Sequence, residues 1–359
     1  VTAGRLPFLD GLRGIAALLV VFQHVQPDER LPTGILGVDV FFALSGFLIG
    51  GILLDSRGRP DFWRSFFVRR TFRIWPLYET VVVLLACTGN WTPVGSREPT
   101  WMLALFLGNF ALVGVTAARK AAGVLWSIAV EEHFYVLLPP IVASLPARRL
   151  PIVLLGLIAS ASCCRWYVAQ HAGFMAAYVL TPCRLDALCW GVLAAWILRF
   201  RPGSVGLIAA AAPLLVLLRV AVLPINFAAE TTAGAVLFWQ PLAVIATAAL
   251  ILRMVSRPRD MVARMLSLRW LGWVGTVSYG VYLLHPLIIE SLNAALPTWR
   301  GTPGEVNGGL LVGMRFVVVA GLSVGVASIS WLFFEKPLLQ WSDRFRHRAV
   351  PPTTEVSVS

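Results

Sequence analysis

Residues 11–24 read GLRGIAALLVVFQH. Between Arg13 and His24 every residue except Gly14 and Gln23 is apolar. The run has the character of a membrane helix, yet it carries two ionisable groups. At about 100° per residue, a separation of eleven residues returns them to within roughly 20° of one face. At 1.5 Å per residue they lie about 16 Å apart along the axis. One stripe therefore holds a cation near one end and a titratable imidazole near the other. Charges inside a span face the protein interior or a water-filled path. Alone, Arg13 reads as a snorkelling boundary residue, and His24 equally well as an interhelical hydrogen-bonding group.

The rest of the chain has the same character. Of 359 residues, 58% are hydrophobic and 13% charged, against about 25% charged in a soluble domain. The mean hydropathy is +0.76. So few charges could not solvate the surface of a soluble helical protein. The composition implies an all-α, polytopic transmembrane helix bundle. Fourteen Trp and 20 Phe suit the membrane–water boundaries. The net charge of +12 comes from arginines in short connections, where they orient spans; no nucleic-acid partner is expected. Cys87, Cys163, Cys164, Cys183 and Cys189 lie in or beside apolar runs without metal-like spacing. They read as packing residues, and no metal site is expected. The first run, holding Asp10 and Arg13, reads as a retained span rather than a cleaved leader.

Apolar runs of span length fall near 8–26, 34–54, 74–89, 101–117, 124–145, 151–169, 183–199, 204–222, 234–252, 270–295 and 309–334. Arginine-rich connections at 55–73, 147–149, 199–201 and 253–269, with the tail at 343–348, should share the cytoplasmic side. Three runs between 73 and 147 conflict with that parity. One of them, 101–117 or the glutamate-bearing 124–145, should dip or lie at the interface. The expectation is about ten crossings plus one such segment, both termini cytoplasmic. A single domain should span 5–342, followed by a disordered tail at 343–359.

Further charges sit inside the spans. Asp39 opens GVDVFFALSGFLI (37–49), at the expected depth of His24; a carboxylate there would orient the imidazole as a base. As a helix-start charge it has a plainer role. Ser45 reads as close packing beside Gly46 rather than as a nucleophile. VRRTFRIWPLY (68–78) supplies Arg69, Arg70 and Arg73, either topology signals or guanidinium forks for phosphate. LWSIAVEEHFYVLLPP (125–140) buries Glu131, Glu132 and His133, with Tyr135 one turn from Glu131. These carboxylates need partners, and the three arginines are the candidates. His285 precedes Pro286 in SYGVYLLHPLI (278–288) and reads as structural; Glu335 and Lys336 in FFEKPLL read as a boundary anchor.

Arg13-x10-His24, GVDVFFALSGFLI, RRTFRIWP, WSIAVEEHFY, SYGVYLLH and FFEKP, in that order over about residues 5–342, together resemble the membrane-bound acyltransferase family 3. The resemblance implies O-acylation of a hydroxyl-bearing acceptor. The donor would be acyl-CoA, usually acetyl, taken from the cytoplasmic side of a bacterial inner membrane. It implicates His24, Asp39, Arg13, Glu131 and Glu132 in catalysis, and Arg69, Arg70, Arg73, Trp126 and Tyr135 in donor binding. The motif position of His133 is commonly Gln. Some members carry a fused extracytoplasmic hydrolase-like domain; this sequence shows none, so the chain would deliver the acyl group itself or through a partner.

The expected mechanism follows. CoA phosphates would meet Arg69, Arg70 and Arg73. The pantetheine arm would run along the Arg13–His24 stripe, and His24, oriented by Asp39, would deprotonate the acceptor hydroxyl. Direct acylation of His24 is a variant of this scheme. The acceptor would be a carbohydrate, a glycolipid or a glycosylated natural product, reached in contact with membrane lipid, and no tightly bound cofactor is expected. A secondary transporter also buries ionisable groups, although no half-to-half repeat is evident.

Overall fold

The structure is a computed structural model; it describes residues 6–26, 33–88, 100–113, 121–221, 233–296 and 308–342. The expected tail at 343–359 lies outside them. Every regular element among them is helical. In order these are α1 (Pro7–Val25), α2 (Thr33–Ser56), α3 (Phe62–Thr88), α4 (Thr100–Ala104), α5 (Gly108–Ala111) and α6 (Leu125–Ser144). There follow α7 (Leu150–Val179), α8 (Leu185–Phe200), α9 (Pro202–Ala221), α10 (Ala233–Ser256), α11 (Met261–Leu266) and α12 (Arg269–Thr276). The last are α13 (Ser278–Ala295), α14 (Gly308–Ser330) and α15 (Lys336–Ser342).

Five described segments are long and apolar enough to cross a membrane: α1, α2, α7, most of α9, and the continuous stretch from Gly309 to Ser342. The α12–α13 pair, bent by 72°, is a sixth if counted as one span. The expectation of ten goes further than this. Helices α3 and α6 are long enough but carry arginines and glutamates, and α8 has only 16 residues.

Two boundaries differ from the sequence reading for visible reasons. Helix α3 begins at Phe62, not near 74, so most of the basic stretch 55–73 is helical. Its buried residues Phe62 and Phe66, before the arginines, and Ile74, Leu77, Tyr78, Val81, Val82 and Leu85, after them, recur at helical spacing and keep one apolar face inward. Helix α7 continues to Val179 past a kink at Gly173, whose φ of 83° a side chain would resist. The run 101–117 forms no span within its described part. It breaks into α4 and α5 around Phe106, which has φ 57°.

Helix α2 is the axis of the bundle, packing most extensively on α8 and also on α1, α10 and α6. Lipid removes the hydrophobic drive between spans, so close backbone approach matters more than apolar bulk. A Cβ on Gly46 would lie 2.0 Å from the Leu188 carbonyl oxygen, and one on Gly191 would lie 2.2 Å from that of Ala43. Gly46→Ala should push α2 from α8 and cost about 1–3 kcal/mol, read as a lowered thermal midpoint in detergent. Gly206→Ala on α9, with nothing within 4 Å of its Cβ, should leave the midpoint in place.

The basic segments gather at one end. Arg199 at the end of α8 grips Asp55 through two bonds of 2.6 Å, and Trp196 donates to the Ala147 carbonyl at 2.8 Å. Phe72 meets Trp341, ring centroids 5.1 Å apart. Arg253 holds Asp260 at 2.6 Å. Burial alone would raise that carboxyl, but the hydrogen bond and charge of Arg253 overcome it and hold it below the usual carboxylate range.

Candidate functional site

Toward the basic end, Arg13 is half-buried, 3.7 Å from Asp10. The charges of Arg73 and Arg70 and the Tyr135 phenol also reach it. The Arg70 guanidinium lies over the Tyr135 ring, 5.5 Å from its centroid. Tyr135 donates to Glu131 Oε2 at 2.7 Å, and Ser45 donates to Oε1 at 2.8 Å. Helices α1, α2, α3 and α6 thus converge on one patch of cations, a carboxylate and hydroxyls. Glu335, in a π-helical turn Trp331–Glu335 between α14 and α15, is buried there with Ser330 at 3.0 Å and within reach of Arg73's charge. It is therefore no boundary anchor.

Several expected partners differ. Neither glutamate forms an ion pair with the three arginines. Glu131 is held by hydroxyls, and Glu132 Oε2 by the Trp75 indole N–H at 3.1 Å. The reason is reach: α3 presents Trp75 to Glu132 and sets the Arg70 guanidinium against the Tyr135 ring. Glu132 Oε1 is buried with no hydrogen-bond donor among the described residues. Arg69 is exposed while Arg70 and Arg73 are half-buried, because neighbouring positions on a helix diverge by about 100°. Trp126 is buried among aromatic rings, 6.0 Å from Phe42 and 4.7 Å from Tyr178 by centroid.

Toward the other end lies His24. Its Nδ1 is 2.8 Å from the Val20 carbonyl oxygen. A carbonyl only accepts, so Nδ1 carries the hydrogen and donates to it. The His24 ring meets that of His285 on α13, centroids 5.0 Å apart and planes at 64°. His285 is wholly buried and pinned in the same way, Nδ1 3.1 Å from the Val281 carbonyl. Its ring lies 6.0 Å from that of Tyr282. The Tyr282 hydroxyl bonds Ser127 Oγ at 2.7 Å and the Val124 carbonyl at 3.0 Å. A polar seam therefore runs through the interior from Arg13 and Glu131 to the two histidines.

Asp39 is not beside His24. It forms a fully buried ion pair with Arg184. Arg184 also donates to Gln240 at 2.8 Å and lies over Phe42 and Tyr178, 5.4 and 5.2 Å from their centroids. The cause is helical phase. Asp39, Ala43, Gly46 and Gly50 share one face of α2, and that face meets α8, whereas Gly34 and Gly37 face α1. A second buried pair, Arg165–Asp186 at 2.7 Å, ties α7 to α8. The reading of the sequence passed over Arg165, Arg184 and Asp186. For Arg184 and Asp186 the signal was present in PCRLDAL (182–188), a charged pair at the head of an apolar run.

His133 bridges two connections. Its Nδ1 is 2.7 Å from Thr181 Oγ1, which accepts from Asn109 Nδ2 at 2.9 Å, and its ring also meets the Phe106 carbonyl. A neutral imidazole supplies one donor and one acceptor, as a side-chain amide does. His133→Gln should therefore keep near-wild-type stability. His133→Leu should lose about 1–3 kcal/mol by stranding buried polar groups, measured by thermal unfolding in detergent. Among the described residues no group of three or more His, Cys, Asp or Glu could hold a metal ion.

Comparison with known proteins gives a consistent result. Residues 6–335 match the family described as an acyltransferase domain. The chain is 28% identical over 371 residues to "Putative peptidoglycan O-acetyltransferase YrhL" of Bacillus subtilis, covering 93% of this chain and 55% of that protein. It is 26% identical over 365 residues to the peptidoglycan O-acetyltransferase OatA of Listeria monocytogenes, covering 93% and 56%. The chain thus spans about half the length of the curated relatives it matches.

Proposed function

Because the chain belongs to the membrane-bound acyltransferase family 3, we propose that it is a multi-pass O-acyltransferase moving an acetyl group from acetyl-CoA to a carbohydrate hydroxyl. The observation that carries this reading is the interior seam, with cations at one end and the His24 imidazole about 16 Å away. The names of the relatives favour a cell-envelope glycan as acceptor. The basic end faces the cytoplasm of a bacterial plasma membrane, following the arginine bias, and both termini lie there.

Arg70 and Arg73, with Arg13 beside them, receive the anionic part of CoA; exposed Arg69 assists from the surface. The thin arm extends toward His24. An acceptor hydroxyl attacks the thioester carbonyl as His24 Nε2 takes its proton. The carbon–sulfur bond breaks, and the proton passes to the departing thiolate. Glu131, through Ser45 and Tyr135, fixes the cationic patch, and Glu132 offers its unpaired oxygen to a donor on the substrate. Asp39 acts at a distance by locking α2 to α8.

The test uses purified protein in liposomes with acetyl-CoA and peptidoglycan fragments, following free CoA by a thiol reagent and the ester by mass spectrometry. Acceptor-dependent CoA release is expected. Solute counterflow without CoA release would refute the reading in favour of a transporter. Replacing Arg70 and Arg73 together by alanine should raise the KM for acetyl-CoA more than tenfold, about 1.4 kcal/mol or more of lost binding, with a smaller change in kcat.

A further inference from the structure

Two of the five cysteines touch each other. Cys164 Sγ on α7 lies 3.7 Å from Cys183 Sγ, in the short helical turn Thr181–Cys183 ahead of α8. We propose that Cys164 and Cys183 are an oxidation site, where a disulfide staples α7 to the head of α8. The bond itself needs only this local geometry. Its oxidant, an external disulfide, rests on the membrane orientation proposed above.

Three observations support the staple. The first is contact: from 3.7 Å, a small side-chain rotation brings the sulfurs to the bond length of about 2 Å. The second is preorganisation. Arg165, next after Cys164, donates to the Cys183 carbonyl at 3.0 Å and grips both Asp186 oxygens at 3.1 and 2.7 Å. On the other side of Cys183, Arg184 pairs with Asp39 of α2. The Cys183 backbone is therefore held against α7 before any bond forms, which removes most of the ordering cost of joining positions 19 apart. The third is access. Cys183 is fully buried but Cys164 only half-buried, so one thiol can be reached from outside and the other can resolve it. Exposed Cys163 points about 100° away around α7.

The position suits an extracytoplasmic oxidant. Helix α8 leads from here to the basic end, 16 residues or about 24 Å away. The exposed rings of Trp166 and Tyr167 follow Cys164 closely, as at a membrane–water boundary. Thiols on that side of a membrane meet oxidising conditions. In the reaction, Cys164 Sγ attacks one sulfur of the external disulfide, and the other sulfur leaves as a thiol. Cys183 Sγ then attacks Cys164 Sγ and expels the second thiol. Two electrons pass to the external disulfide, and the two protons lost by the cysteines end on the thiols released. The closed loop includes Thr181, which holds His133 and Asn109, so the staple secures the meeting place of α5, α6, α7 and α8.

The experiment begins with cells broken in a thiol-blocking alkylator and protein digested without reductant. Mass spectrometry should find Cys164 and Cys183 mainly as one linked peptide. The purified protein in nanodiscs is then reduced and treated with oxidised glutathione. The linked peptide should return, and the thermal midpoint should rise by several degrees over the reduced form. The rise should vanish in Cys164→Ser and Cys183→Ala and persist in Cys163→Ser. The reduced and oxidised wild type decide the matter alone if a variant does not fold. Glutathione adducts without the linked peptide, or equal midpoints, overturn the staple. A staple that forms in nanodiscs but is absent from the blocked cells overturns the extracytoplasmic oxidant. CoA release from the same samples reads acyl transfer separately, so either reading can fail while the other stands.

Discussion

Replacing His24 by alanine should lower kcat by about 10²- to 10⁴-fold, the range supplied by a positioned general base. The KM for acetyl-CoA should stay near its wild-type value, because the cations assigned to the donor lie about 16 Å away at the other end of the seam. The fold should survive. His24 is only partly buried. Steady-state CoA release and mass spectrometry of the acceptor read the first effect, and the thermal midpoint in detergent reads the second. A correctly inserted His24→Ala protein with wild-type transfer would sink the mechanism.

The second large effect concerns stability. Arg184→Ala should cost about 3–5 kcal/mol, because it leaves the Asp39 carboxylate as an uncompensated charge in a fully buried place. It also takes a donor from Gln240 and a flat surface from Phe42 and Tyr178. Removing the charges together, as Asp39→Leu with Arg184→Met, should recover most of the loss, since well-packed apolar residues replace a buried pair at little cost. Thermal unfolding of the single and double variants in one detergent checks the ordering. A double variant no more stable than either single one would show that the pair does more than neutralise itself. Because the pair joins α2 to α8, the singles should also lose transfer activity in proportion to their unfolding, and the double should regain it.

Much of the bundle can be read from the chain alone. Helices α1, α2 and α14 are apolar runs of span length, and their spacing gives the boundaries closely. The phase of Arg13 and His24 follows from helical arithmetic, and so does the Glu131–Tyr135 contact one turn apart. The interruption of the run 101–117 by α4 and α5 has no such plain signal in the residues. What escaped was the facing of helices. Asp39 and His24 fall at similar expected depth, but only the packed bundle shows that Asp39 looks to α8. Arg184 lies 145 positions along the chain from Asp39. His285 attracted notice with Pro286 but no role, because nothing local brings α13 against α1. Residue type and period announce a helix and its buried charge; the identity of the neighbour is decided by tertiary packing.

His24 and His285 each take their bearing from a carbonyl one turn back on their own rod. The aim of the imidazole is thus fixed first within five consecutive positions. Helices that shape the acceptor's berth can drift or change side chains without turning the imidazole away. A scaffold built like this can trade one alcohol for another over evolutionary time and keep its chemistry.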